Sequence, residues 1–60
     1  MTKKIDTKEQ ILRAAAEIIN NEGVFSLTLE AVAKKAGISK GGLLYHYPSK
    51  DVLLEGMVNY

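Results

Sequence analysis

Apolar residues recur along the chain at helical spacing, in blocks separated by Gly, Ser, Thr and Pro. In the first block Ile11, Leu12, Ala15, Ile18 and Ile19 share one helical face and leave Arg13, Glu17 and Asn20 off it. Thr7 stands three residues ahead of Gln10, as in a capping box, where hydroxyl and amide side chains satisfy orphan backbone groups at a helix start. The first helix is therefore predicted to begin at Thr7. Asn20, Asn21, Glu22 and Gly23 end it, with Gly23 expected in the left-handed conformation that closes a terminal turn. Val24, Phe25 and Leu27 then form an apolar connection.

Thr28 caps a second predicted helix, in which Leu29, Val32, Ala33 and Ala36 follow the i, i+3, i+4, i+7 pattern up to Gly37. Ser39 caps a third, which contains Leu43 and Leu44 and cannot run past Pro48. Ser49 caps a fourth, with Asp51 in its first turn, where negative charge suits the helix dipole, and Val52, Leu53, Leu54, Met57, Val58 and Tyr60 along it. The fold class is all-α.

The second and third helices carry the spacing of a helix-turn-helix unit over residues 28–47. Two closely crossing helices need a small residue at their contact, supplied by Ala33, and the turn four residues later needs positive φ, supplied by Gly37. Ile38 then enters the core, and Leu43 takes the buried position of the next helix.

Composition narrows the function classes. The chain has 60 residues, no cysteine and one histidine, His46, which excludes disulfides and leaves no metal site of the usual Cys and His ligands. A fold this small buries only about 60% of the surface its unfolded chain exposes and seldom walls in a catalytic pocket, so no enzyme and no cofactor are expected. Lys3 and Lys4 are followed by Asp6 and Lys8 rather than by an apolar run, and Arg13 and Glu17 interrupt the longest apolar stretch. No targeting segment or membrane span is predicted, and the chain reads as cytoplasmic. The net charge is only +1, yet Lys34, Lys35, Lys40 and Lys50 occupy positions 34–50 with no Asp or Glu among them. On a helix-turn-helix, such a segment suits the phosphates of nucleic acid.

The run Gly37-Ile38-Ser39-Lys40-Gly41-Gly42-Leu43-Leu44-Tyr45-His46-Tyr47-Pro48-Ser49-Lys50-Asp51 resembles the signature of the tetracycline-repressor (TetR) family of bacterial transcriptional regulators. Ile11-Leu12-Arg13-Ala14-Ala15 and Val32-Ala33-Lys34-Lys35-Ala36-Gly37 extend the resemblance over nearly the whole chain. It implies a homeodomain-like three-helix head, the start of a fourth helix, and beyond these residues a larger helical domain that dimerises and binds a small-molecule inducer. As partners it implies double-stranded DNA with a palindromic operator, read by a homodimer, most often to repress transcription.

Carried over residue by residue, the resemblance makes residues 39–47 the recognition helix in the major groove. Backbone amides around Ser39, Lys40 and Gly41 would face a phosphate, with Gly41 and Gly42 letting the main chain come close. Thr28 matches a phosphate contact at the start of the second helix and Lys50 one at the start of the fourth; Tyr45 and His46 match phosphate or base contacts. Leu44 stands where an aromatic is common and either touches a thymine methyl or simply packs. Tyr47 replaces the usual Phe and is expected to keep the core role with its hydroxyl at the surface. The third helix has no Arg, Asn or Gln, the residues best suited to bidentate base contacts, so direct readout is expected to be sparse, with Lys40 and Tyr45 leading it and DNA shape supplying the rest.

Blander readings accompany these. Lys34 and Lys35 read as a solvated face, and His46 as an ordinary surface residue outside the motif. The rival function is a helical protein-protein interaction module that docks through Leu53, Leu54, Met57 and Val58 of the fourth helix. A catalytic use of Tyr45, His46 and Lys50 lacks a partnered nucleophile and a pocket.

Overall fold

The computed structural model describes residues 6–59; Lys3, Lys4 and Tyr60, which entered the reading above, lie outside them. Among the described residues the chain forms α1 (Thr7–Glu22), a short 3₁₀ turn (Val24–Ser26), α2 (Leu29–Ala36), α3 (Lys40–His46) and α4 (Lys50–Val58), with no strand.

α1 begins at Thr7, as predicted, but with a different capping residue. Asp6, not Thr7, is the cap: its Oδ1 accepts from the Glu9 amide at 2.9 Å, and Thr7 becomes the first helical residue. Asp caps at least as well as Thr, so the neighbour with the carboxylate prevails. Glu9 then turns to Arg13, with an oxygen 2.8 Å from the guanidinium. At the other end Gly23 has positive φ (93°) but an extended ψ of 163°, so α1 stops without the expected left-handed closure. The chain runs directly into the 3₁₀ turn, which buries Leu27 completely and leaves Phe25 97% exposed.

The helix-turn-helix forms as its spacing requires. Thr28 Oγ1 accepts from the Ala31 amide at 3.0 Å, starting α2. Gly37 ends it in the left-handed region (φ 75°, ψ 29°), with its N–H donating to Lys34 O and the Ile38 N–H to Ala33 O at 3.0 Å, a Schellman motif. Ser39 Oγ then accepts from Gly42 N at 3.0 Å and Ser49 Oγ from Val52 N at 3.3 Å, so each short helix begins with one orphan amide satisfied.

The core gathers one face of every helix: Ile11, Leu12, Ala14, Ala15 and Ile18 from α1, Leu27 from the turn, Val32 and Ala33 from α2, Leu43 from α3, Tyr47 just beyond it, and Leu53 from α4. Ala14 is buried although the periodicity had not placed it on the core face. Tyr47 takes the expected core position. Burial, and after it the Asp6 carboxylate, push its phenol above the ordinary value.

The Tyr47 ring lies over Gly56 of α4. A Cβ on Gly56 would come within 2.9 Å of a ring carbon. Ala favours an exposed helix by about 1 kcal/mol over Gly, but overpacking a core typically costs about 1–3 kcal/mol. Gly56→Ala is therefore expected to destabilise the domain by about 1 kcal/mol, lowering its melting temperature by roughly 4–8 °C in a domain of this size. A thermal melt by circular dichroism checks this; an unchanged or higher melting temperature would mean the ring moves aside freely.

Candidate nucleic-acid interface

α3 is anchored from one side only. Leu43, fully buried, and Tyr47, 5% exposed, hold it to the core. Lys40, Gly41 and Tyr45 are exposed, Tyr45 at 85%. Leu44 is half-buried and belongs neither to the core nor to the apolar residues packed against it. His46, half-buried, sets its ring edge-on to that of Tyr45, with centroids 5.2 Å apart and planes at 85°. The end of α3 thus carries a pair of aromatic rings beyond the core.

The remaining candidates sit at helix starts. Thr28, Ser39 and Lys50 are exposed. The Thr28 and Ser39 hydroxyl oxygens are occupied as caps, but a hydroxyl has two acceptor sites and one hydrogen, so each retains an O–H able to donate to an anion. The two glycines differ. A Cβ on Gly42 would lie 3.2 Å from Ser39 Oγ, its own cap, whereas one on Gly41 meets nothing within 4 Å. Gly42 therefore has a reason within the fold, the space its capping hydroxyl occupies, and Gly41 has none.

The lysine segment is less positive in space than in sequence. Lys40 Nζ donates to Glu30 Oε2 of α2 at 2.7 Å, and Lys35 Nζ lies 3.0 Å from Glu17 Oε1 of α1. Of the four lysines, only Lys34 and Lys50 make no ion pair among the described residues. The Lys40 hydrogen bond, and after it Glu30's own backbone amide, hold the Glu30 carboxyl below the usual carboxylate range. Local charge counting missed Glu30, because it stands ten positions from Lys40 and only the helix-turn-helix brings the starts of α2 and α3 together. Lys34 and Lys35 are exposed and line a shallow cleft with Ile18 and Glu22 of α1, in keeping with a solvated face.

The fourth helix is poorly suited to the rival docking role. Leu53 is fully buried, Leu54 and Met57 pack against the core, and of its apolar side chains only Val52 and Val58 are exposed. No helix among the described residues is long and apolar enough to cross a membrane.

The family model for bacterial regulatory proteins of the tetR family matches residues 11–57, which takes in all four helices apart from the first turn of α1 and the end of α4. The chain belongs to the TetR family. Among individual proteins it is 41% identical over 59 residues to the nucleoid occlusion factor SlmA of Vibrio cholerae, an alignment covering 97% of this chain and 30% of that protein. It is 35% identical over 57 residues to the HTH-type transcriptional regulator UidR of Escherichia coli, covering 95% of this chain and 29% of that protein. The chain thus spans about 30% of the length of the curated relatives it matches. No solved structure matches it. Within the TetR family match lie both halves of the helix-turn-helix, the Gly37 turn and every candidate contact residue from Thr28 to Lys50.

Proposed function

We propose that this chain is the DNA-reading head of a cytoplasmic bacterial transcriptional regulator that acts as a repressor, with α3 entering the major groove of double-stranded DNA. The observation that carries this reading is the one-sided anchoring of α3: Leu43 and Tyr47 are sunk in the core, while Lys40, Gly41 and Tyr45 are left to solvent. Tyr45 and Gly41 have no place in the core, Lys40 is held within the fold only by an exposed pair with Glu30, and all three suit a polyanion with stacked bases.

In this reading Thr28, Ser39 and Lys50 hold phosphates and fix the register of the head on the duplex, a role that carries no sequence information directly. Lys40 and Tyr45 reach base edges or nearby phosphates, Leu44 touches a thymine methyl, and His46 supports Tyr45 and contacts the backbone. Gly41 and Gly42 let the main chain approach the DNA closely. Two heads on a homodimer would read a palindromic operator with half-sites roughly 34–36 Å apart, and a small-molecule inducer would act through a further domain. No cofactor or metal takes part.

A single head should bind duplex DNA weakly, near the 10⁻⁴ to 10⁻⁶ M range of roughly non-specific complexes. Raising salt from 50 to 200 mM should cost roughly 3.5-fold in affinity for each phosphate that a lysine neutralises. The test is titration of the chain against a pool of random duplex DNA at two salt concentrations, with sequencing of what is retained. Enrichment of a half-site that Lys40→Ala abolishes supports sequence reading by α3; absence of retention even at low salt overturns the proposal.

The identity to the nucleoid occlusion factor SlmA favours a second reading of the whole protein, in which the same head serves nucleoid occlusion instead of transcription. Transcription from a promoter that carries the enriched site, measured with and without the full-length protein, separates the two.

A further inference from the structure

Lys40 stands at the first position of α3, where a positive charge opposes the dipole of its own helix, and Glu30 stands in the first turn of α2, where a negative charge is favoured. The fold sets them side by side: Nζ lies 2.7 Å from Oε2, with the lysine side chain 53% and the glutamate 68% exposed. A pair this exposed contributes little to stability, because water screens it and two long side chains must be ordered to make it. Its consequence lies in what it does to Lys40, which in the free protein is already hydrogen-bonded and neutralised.

We propose that Glu30 is a selectivity-determining residue, one that competes with DNA phosphate for the Lys40 ammonium and so suppresses binding to duplexes that offer Lys40 nothing but phosphate. The inference rests on the DNA-reading role proposed above. An ammonium has three N–H donors, of which Glu30 takes one. On an arbitrary sequence, a phosphate that accepts from the remaining donors is brought beside a carboxylate of like charge, which repels the duplex unless it is displaced, whereas a guanine edge carries no net charge. On a site that presents guanine O6 and N7, the two remaining donors reach the base edge while Glu30 keeps the third, so the pair stays intact and orients the ammonium. Glu30 thus acts on DNA through Lys40 and is a positioning residue.

The experiment measures affinity for a 20-base-pair duplex of random sequence, as a function of salt, for the parent chain, Glu30→Gln, Lys40→Met and the double variant. Both residues are exposed, so all four proteins should keep the fold, which circular dichroism checks. Glu30→Gln is expected to bind the random duplex about two- to fivefold more tightly at low salt. Its log-log salt slope should be steeper by about 0.9, the signature of one more phosphate neutralised. In the Lys40→Met background the same change should do nothing. Glu30→Gln binding no more tightly than the parent overturns the inference, and so does an equal gain in the Lys40→Met background, which would make Glu30 a general charge effect. Absence of binding by the parent chain at low salt overturns the DNA-reading role and this inference together, whereas parent binding without a Glu30→Gln gain overturns the inference alone.

Discussion

Leu43→Ala is expected to destabilise the domain by about 2–5 kcal/mol, the usual range for truncating a fully buried leucine. Leu43 has no exposed surface and is the only residue of α3 itself that belongs to the core. The removed methyls leave a cavity that a seven-residue helix, capped by Ser39 and followed by Tyr47, closes only by shifting along its length. Measured against a total stability of roughly 3–9 kcal/mol for a chain of this size, the loss takes much of what holds the fold. A chemical melt should show the unfolding free energy lowered by that amount or a chain already partly unfolded in buffer, and duplex binding should disappear with the fold. Val58→Ala, at a position 85% exposed, should stay within about 0.5 kcal/mol of the parent. If Leu43→Ala melted like Val58→Ala, then α3 would be held by something other than its one buried side chain, and the one-sided anchoring on which the functional reading stands would lose its basis.

That anchoring was readable from the chain because its determinants are local. Thr28, Ser39 and Ser49 each stand three residues before the amide they satisfy, and Gly37 lies four residues after Ala33 where the turn needs positive φ. The apolar spacing around Val32, Ala33 and Leu43 then leaves one way to fold the segment. At the start of α1 two good caps, Asp6 and Thr7, sit side by side, and a pattern that admits both does not tell which carboxyl or hydroxyl reaches the third amide. What the sequence hid was tertiary. The pairing of Lys40 with Glu30 and of Lys35 with Glu17 spans ten and eighteen positions, so a stretch without acidic residues still meets acidic partners once folded. The demand for glycine at position 56 comes from the Tyr47 ring, which belongs to another element. The apolar stripe of α4, readable as a docking face, is largely spent on the core through Leu53.

Gly41→Ala is expected to move stability and DNA binding in opposite directions. Gly41 lies in α3 with negative φ, is exposed, and has nothing within 4 Å of where a Cβ would sit. Glycine at such a position costs the fold about 0.5–1 kcal/mol relative to alanine, because the unfolded chain has more freedom to lose. Alanine should therefore raise the melting temperature by a few degrees, since roughly 4–8 °C accompanies each kcal/mol in a domain this small. A residue that weakens its own helix with no packing reason is explained if the surface it leaves bare must lie against something outside the chain. On a duplex in contact with the α3 backbone, the added methyl holds the main chain off the DNA, and affinity should fall on the order of tenfold, or about 1.4 kcal/mol. Gly42→Ala cannot separate these effects, because its methyl also crowds the Ser39 cap at 3.2 Å. Melting and duplex titration of the same Gly41→Ala sample make the comparison. A more stable protein that binds DNA as tightly as the parent would mean that the α3 backbone does not approach the duplex at this point, and the groove contact would then have to run through Lys40 and Tyr45 alone.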